Sequence, residues 1–261
     1  MFAYVQPDVL ETCNYSIMEL TGEHRTGLAR EAHNTLMAAL PRGDYEALMT
    51  GGEVIDLKLK DVLHEADDEA RHVYFPLSGV ISLLTVLEDG SAVEIATVGS
   101  EGMADFAAYL GMESPARWLV QVPGKALRID AKKVRLLAEN SAELRTVMHN
   151  YMLAMFILVS QTAACNRRHP VEERCARWLL MTHDRVASDN FPMTHEFLAD
   201  MLGVRRPSVS IAMGMLSRAG FTRYKRGKVE VLDRAGLEAA ACECYRVLAR
   251  QFTHRFPANE S

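Results

Sequence analysis

The segment THEFLADMLGVRRPSVSIAMGML, from Thr194 to Leu216, constrains the fold more than any other part of the chain. Phe197, Leu198, Met201 and Leu202 share one face of a helix beginning at His195, and Thr194 stands where a side-chain oxygen caps the first turn. Ala199 is small enough for a second helix to cross closely, Gly203 supplies a tight turn four residues later, and Val204 plugs the corner. A second helix starts around Arg205–Pro207 and turns Val209, Ala212, Met213 and Leu216 inward. Pro207 is tolerated because N–H groups in a helix's first turn have no intrahelical partner. Two short helices joined by a glycine-containing turn make a helix-turn-helix. Its outward residues are Arg205, Arg206, Ser208, Ser210 and Ile211, at the end of the second helix that enters a major groove. Arginine there grips guanine O6 and N7 or a phosphate, serine hydroxyls reach phosphates or base edges, and the helix N-terminus itself favours a phosphate.

The following segment, GFTRYKRGKVEVLD (220–233), reads as two short strands around Arg226-Gly227, a wing. Between Gly203 and Val229 stand Arg205, Arg206, Arg218, Arg223, Lys225, Arg226 and Lys228, with no Asp or Glu among them. A charge run is ordinarily a solvated face. An acid-free run spread over both a recognition-type helix and a hairpin points instead to double-stranded DNA, with Thr194, Arg205, Arg206, Ser208, Ser210, Arg218, Lys225, Arg226 and Lys228 as the contact set. The formal charge of −5 argues against such a partner only as an average. The basic residues concentrate after Cys165 and the acidic ones before it, as in an acidic body carrying a basic module.

Upstream, EVIDLKL (53–59), HVYFPL (72–77), GVISLLTVL (79–87), SAVEIATV (91–98), RWLVQV (117–122) and KALRID (125–130) read as strands, with a hairpin at Glu88-Asp89-Gly90. A short helical segment is expected over 34–50. Several short strands in series suggest a sandwich, barrel or roll. From Ala131 the period becomes helical. Leu144, Met148, Tyr151, Met155, Leu158 and Thr162 alternate four and three apart, a heptad seam expected to meet the same helix of a second chain, the other reading being a core helix of a single chain. His169-Pro170 breaks this helix, and another follows over 171–187. The expected organisation is an extension over 1–33, a strand domain over 34–137, a dimerisation helix over 138–168 and a DNA-binding domain over 169–261.

Five cysteines at irregular spacing, Cys13, Cys165, Cys175, Cys242 and Cys244, do not form a disulfide framework and fit a reducing compartment. Cys242-x-Cys244 reads as two helix cysteines on different faces, with no metal role. The start of the sequence lacks the pattern of a signal peptide, and the uncharged stretch Tyr151–Asn166 is too short and polar for a membrane span, so a cytoplasmic protein is expected. No GxGxxG, phosphate-loop, HExxH or GxSxG pattern supports an enzyme.

The helix-turn-helix and wing, following a strand domain and a long helix, resemble the Crp/Fnr family of bacterial transcription regulators. The resemblance runs from about Asn34 to Tyr245 and includes FPLSGVISLL, EDGSAVEIATVGSEG and NRRHPVEERCARWLL. It implies an α+β fold: a cyclic-nucleotide-binding-like β-roll (jelly roll), a long dimerisation helix and a C-terminal winged helix-turn-helix. It also implies a homodimer on a palindromic operator, with RNA polymerase as a partner. By that resemblance Arg206 matches the first base-reading arginine and Ser208 a phosphate-contacting hydroxyl. Pro207 and Ile211 depart from the catabolite activator's Glu and Arg, so its operator preference does not carry over.

The effector pocket implied by the resemblance involves Gly99, Glu101, Gly102 and Arg117. Arg117 follows Ser114-Pro115-Ala116, the wrong order for a cyclic phosphate cradle, so cyclic AMP is not the expected effector. An iron–sulfur cluster of the family's N-terminal kind is not expected either, because only Cys13 lies in the first 164 residues. His24, His33, His64 and His72 have no setting that marks a haem ligand. The alternative reading is a cyclic-nucleotide-binding regulatory protein whose winged helix contacts a protein.

Overall fold

The computed structural model describes residues 33–114 and 116–255, so the extension expected over 1–33 lies, but for His33, outside the described residues. Two short helices, α1 (Thr35–Ala38) and α2 (Arg42–Gly51), are separated at Pro41. They precede β1 (Gly52–Leu57), β2 (Val62–His64), β3 (His72–Val86), β4 (Ala92–Val98), α3 (Phe106–Leu110) and β5 (Ala116–Asp130). The strands form one antiparallel sheet in the order β1-β5-β3-β4, with β2 also on β5. The turn at Glu88-Asp89-Gly90 joins β3 to β4, closed by Leu87 N donating to Ser91 O at 2.8 Å. Phe75, Leu83, Trp118, Val120 and Leu127 fill the interior.

Two pairs of expected strands are single strands. Segments 72–77 and 79–87 run together as β3, and 117–122 and 125–130 as β5. The glycines between them bend the strands without ending them. Gly79 has φ +83°, and a Cβ on Gly124 would lie 2.2 Å from the Ser78 carbonyl oxygen. The register of β3 on β5 shifts at this crossing, the behaviour of a glycine at a bulge.

The chain then becomes helical in α4 (Ala131–Asn140) and the 27-residue α5 (Ala142–Arg168). Ser141 caps α5 by accepting from Leu144 N at 3.1 Å. His169 is extended before Pro170, which breaks the helix as expected. Helix α6 (Val171–His183) ends four residues short of the expected 187. After it come β6 (Asn190–Pro192), α7 (His195–Leu202), α8 (Arg206–Arg218), β7 (Thr222–Lys225), β8 (Lys228–Val231), α9 (Arg234–Ala240) and α10 (Cys244–Arg255). The three short strands form a second sheet, β6-β8-β7. Among the described residues no helix is long and apolar enough to cross a membrane.

The expected dimer seam requires a correction. Leu144, Met148, Tyr151, Met155, Leu158 and Thr162 are all buried inside one chain, where α5 packs on α4, β4 and α10. The heptad pattern marked the most apolar face of α5, and the chain's own core takes that face. The opposite side leaves Leu153 46% and Phe156 69% exposed.

Candidate nucleic-acid interface

The helix-turn-helix forms as its local chemistry dictates. Thr194 Oγ1 accepts from Phe197 N at 3.1 Å and caps α7. Gly203 terminates α7 in the left-handed region at φ +61°, and Val204 N bonds back to Ala199 O at 3.0 Å. Arg205 is the N-cap of α8, Pro207 sits in its first turn, and Val209, Ala212, Met213 and Leu216 are buried beneath it. Arg205, Arg206 and Ser210 are exposed at its start, Ser208 is half-buried, and Arg218 is exposed at its far end. Thirteen residues of helix put Arg218 about 18 Å from Arg206 along the axis.

The wing is a two-residue hairpin in which Arg226 and Gly227 both have positive φ, 51° and 76°, a turn matched to the right-handed twist of its strands. Lys225, Arg226 and Lys228 are exposed on it. With Asn190, Arg223 and Glu230 they line one concave surface.

Sequence reasoning missed how the helix and wing are joined. His195 Nδ1 lies 3.0 Å from Ser210 Oγ, and the His195 ring stacks on Tyr224 of the wing with centroids 4.4 Å apart. Burial, and then the nearby Arg206 charge, hold His195 below its usual pKa, which favours the neutral imidazole in this bridge. Two acids flank the acid-free run. Glu196 lies 3.6 Å from Arg206, and Glu230 accepts from Arg223 Nε at 2.8 Å. The first pair is widely exposed and weak.

Behind this surface α6 and α7 meet the strand domain. A Cβ added to Gly203 would come within 3.1 Å of Val93 on β4. A buried polar chain crosses the contact. Trp178 Nε1 donates to Glu94 Oε1 at 2.8 Å, Ser82 Oγ lies 2.7 Å from Glu94 Oε2 and 2.9 Å from Gln121 Oε1, and Gln121 Nε2 donates to Thr182 Oγ1 at 2.8 Å. Ser82 has one hydroxyl proton for two oxygen neighbours, and a protonated Glu94 donating to Ser82 lets both contacts be hydrogen bonds. Burial acts the same way, pushing the Glu94 carboxyl up to about 7 against the pull of its hydrogen bonds. Arg174 adds a buried hydrogen bond to the Leu202 carbonyl at the end of α7.

The four expected effector residues do not form one pocket. Glu101 accepts from Arg185 Nε at 2.7 Å and from Gly99 N at 3.1 Å, and lines a cavity of about 280 Å³ with Met181, Asp184 and Tyr245. Gly102 lies against the Tyr151 ring. Arg117 donates to Glu65 at 2.7 Å and lines a separate cleft of about 680 Å³, between the β3–β4 hairpin and Phe197, Val204 and Arg205. The resemblance aligned these residues by order in the chain, whereas their charges are taken by partners from distant elements. Of the histidines considered for haem, His64 is buried with its Nδ1 2.9 Å from Asp105 Oδ2. The cysteines Cys242 and Cys244 do not point apart on a helix, because α10 begins only at Cys244 and both sulfurs are buried together with that of Cys165.

Two family models match the chain in sequence order, the cyclic nucleotide-binding domain over residues 54–141 and the Crp-like helix-turn-helix domain over residues 173–240. No curated protein sequence matches it. Solved structures share the fold. FixK2 from Bradyrhizobium japonicum is 16% identical with a TM-score of 0.64, over 73% of this chain and 98% of that one. A transcriptional regulator of the CRP family from Thermus thermophilus is 21% identical with a TM-score of 0.62, over 72% and 96%. The c-di-GMP responsive global regulator CLP from Xanthomonas campestris is 12% identical with a TM-score of 0.61, over 73% and 99%. With a nucleotide-binding-type roll, a long connecting helix and a basic winged helix-turn-helix in this order, the chain belongs to the Crp/Fnr family of transcriptional regulators.

Proposed function

We propose that this regulator acts in the cytoplasm as a homodimer on a two-fold symmetric DNA operator and passes a signal from its roll to its helix-turn-helix. The observation that carries the reading is the set of exposed cations, Arg205 and Arg206 at the start of α8 and Lys225, Arg226 and Lys228 on the wing, with His195 joining Ser210 of the helix to Tyr224 of the wing. Arg205 and Arg206 read bases or phosphates, Ser208, Ser210 and Thr194 position the helix, and the wing cations hold phosphates. Arg218 meets the backbone at the far end of α8. Tyr224, the aromatic residue that would anchor a protein partner, is stacked on His195, which favours DNA over a protein at this surface.

The exposed stripe of α5 around Leu153 and Phe156 supports pairing with the same helix of a second chain. The polar chain from Ser82 to Thr182 and the Gly203–Val93 contact support the roll as the sender of the signal. Cyclic AMP remains an unexpected effector: Glu101 and Arg117, the residues that would hold its ribose and phosphate, are engaged by Arg185 and Glu65. Contact with RNA polymerase follows from the family. Selection of binding sites from random duplex DNA by the purified chain tests the reading. A palindrome with half-sites one helical turn apart, about 34 Å, is the expected result, with affinity falling steeply as salt rises. Absence of binding at any salt would overturn it.

A further inference from the structure

Four side chains that none of the above uses meet where α5 ends. Cys165 and His169 lie four residues apart on α5 and its C-cap, so they share one side of the helix. Cys242 and Cys244 come from the entry to α10, more than seventy residues away in sequence. The three cysteine sulfurs and one imidazole nitrogen all lie within 4.8 Å of one another. Cys165 Sγ is 3.5 Å from Cys242 Sγ, and Cys244 Sγ is 3.6 Å from His169 Nδ1. The three cysteines are at most 4% exposed.

We infer that Cys165, His169, Cys242 and Cys244 form a tetrahedral site for a single zinc-like divalent cation that ties α10 to the end of α5. Zinc bonds of about 2.3 Å to sulfur and about 2.0 Å to nitrogen place neighbouring tetrahedral ligand atoms roughly 3.5–3.8 Å apart, a range that holds the Cys165–Cys242 and Cys244–His169 spacings of 3.5 and 3.6 Å. An iron–sulfur cluster, whose cysteines bind two or more sulfide-bridged irons, spreads its ligands more widely than these. Zinc prefers three thiolates and an imidazole to a set of oxygen ligands, and a site with four protein ligands is closed and structural.

The surroundings suit a thiolate-bound cation. His169 presents Nδ1 to the cluster while its Nε2 lies 3.1 Å from Glu243 Oε2, so a carboxylate fixes the tautomer and orients the ring. Gln161 Nε2 donates to Cys244 Sγ at 3.0 Å, a bond that favours sulfur in its charged form. Three thiolates, a neutral imidazole and a divalent ion carry one net negative charge. The buried guanidiniums of Arg174 and Arg177, 6% and 4% exposed, act on the charge of Cys165, and neither forms an ion pair within 4 Å among the described residues. Binding releases one proton from each of the three thiols to solvent, so affinity rises with pH. The ion would brace the junction at Pro170, where the long helix hands over to the DNA-binding helices.

The test is metal content and cobalt spectroscopy on the full chain. Protein purified under reducing conditions is expected to carry about one zinc per chain by mass spectrometry. After removal of metal by a chelator, cobalt(II) is expected to give the intense visible bands of a tetrahedral site and the near-ultraviolet charge transfer of cobalt–thiolate bonds, and zinc is expected to bleach both. Cys244→Ser should weaken binding by tenfold or more, whereas Cys175→Ser, outside the cluster, should not. His169→Cys should keep stoichiometric binding with stronger sulfur-to-cobalt charge transfer. A reduced, folded chain that holds no metal and gives no cobalt spectrum overturns the inference, as does a Cys165–Cys242 disulfide found in its place. A Cys244→Ser chain that binds as tightly as the parent overturns it too.

Discussion

The basic surface of α8 and the wing and the polar contact between roll and helices are built on opposite plans. The first is exposed, cationic and local: Thr194 to Lys228 span one short stretch of chain, and Arg206 meets only a loose partner 3.6 Å away. The second is buried, nearly uncharged and long-range, with Trp178 reaching Glu94 across 84 positions of sequence. A surface that must meet a polyanion keeps its charges in water until the partner arrives. A surface that must hold two parts of one chain in register satisfies its polar groups internally. The helix α5 repeats the contrast on its two faces, with Leu158 inward and Phe156 outward.

The largest effects should separate the faces of α5. Phe156→Glu is expected to give a monomer by analytical ultracentrifugation and, by removing the second half-site contact, to weaken operator binding by about 100-fold or more. Its unfolding curve should stay near that of the parent. Leu158→Ala should do the reverse, costing about 2–5 kcal/mol in urea unfolding while the folded protein still pairs. If Phe156→Glu remains a dimer, the outward face of α5 is not the interface.

The interior contact should respond to pH. Burial raises the Glu94 carboxyl from its ordinary value to about 7, so between the ordinary range and about 7 the folded chain holds a proton that the unfolded chain has released. Stability from this group is therefore greatest at the acid end and falls as pH rises towards about 7, by on the order of 3 kcal/mol in all. Glu94→Gln mimics the protonated acid, its carbonyl accepting from Trp178 and its amide donating to Ser82. It should flatten the dependence between pH 5 and 8 in denaturant titrations; a slope equal to the parent's would show that Glu94 is not the titrating group.

The exposed surface should divide into readers and holders. Arg206→Ala should cost about 1–3 kcal/mol on the selected operator and much less on random DNA. Equal losses on both, by fluorescence anisotropy, would reassign Arg206 to phosphate. Replacing Lys225, Arg226 and Lys228 together by alanine should weaken all sequences alike and lower the salt dependence of log K by roughly 1 for each of these cations that neutralises a phosphate. A change in sequence preference would instead place the wing in a groove.

The winged helix-turn-helix was legible because every signal it needs is short-range. The Thr194 cap, the left-handed Gly203, the inward spacing of Val209, Ala212, Met213 and Leu216, and the Arg226-Gly227 turn all act within a few residues. The strands of the roll were legible by alternation, although glycine was read as an end where Gly79 and Gly124 make a bend. The heptad on α5 gave the helix and its end at Arg168, but not its start, which Ser141 sets at Ala142 and not at 138, and it misassigned the partner, because apolar spacing says that a face is covered and not by what.

Thus the order of residues alone determined the fold class, the helix-turn-helix, the wing and the concentration of positive charge on them, since these follow from backbone preferences and neighbouring side chains. The tertiary structure decided which face of α5 the chain keeps for itself, that Glu101 and Arg117 go to different partners, and that Glu94 meets Trp178. It also decided that Cys165 and His169 meet Cys242 and Cys244. Each of these joins residues tens of positions apart whose side chains read as ordinary in their own elements. Only the folded chain, by removing them together from water, gives them a shared chemistry.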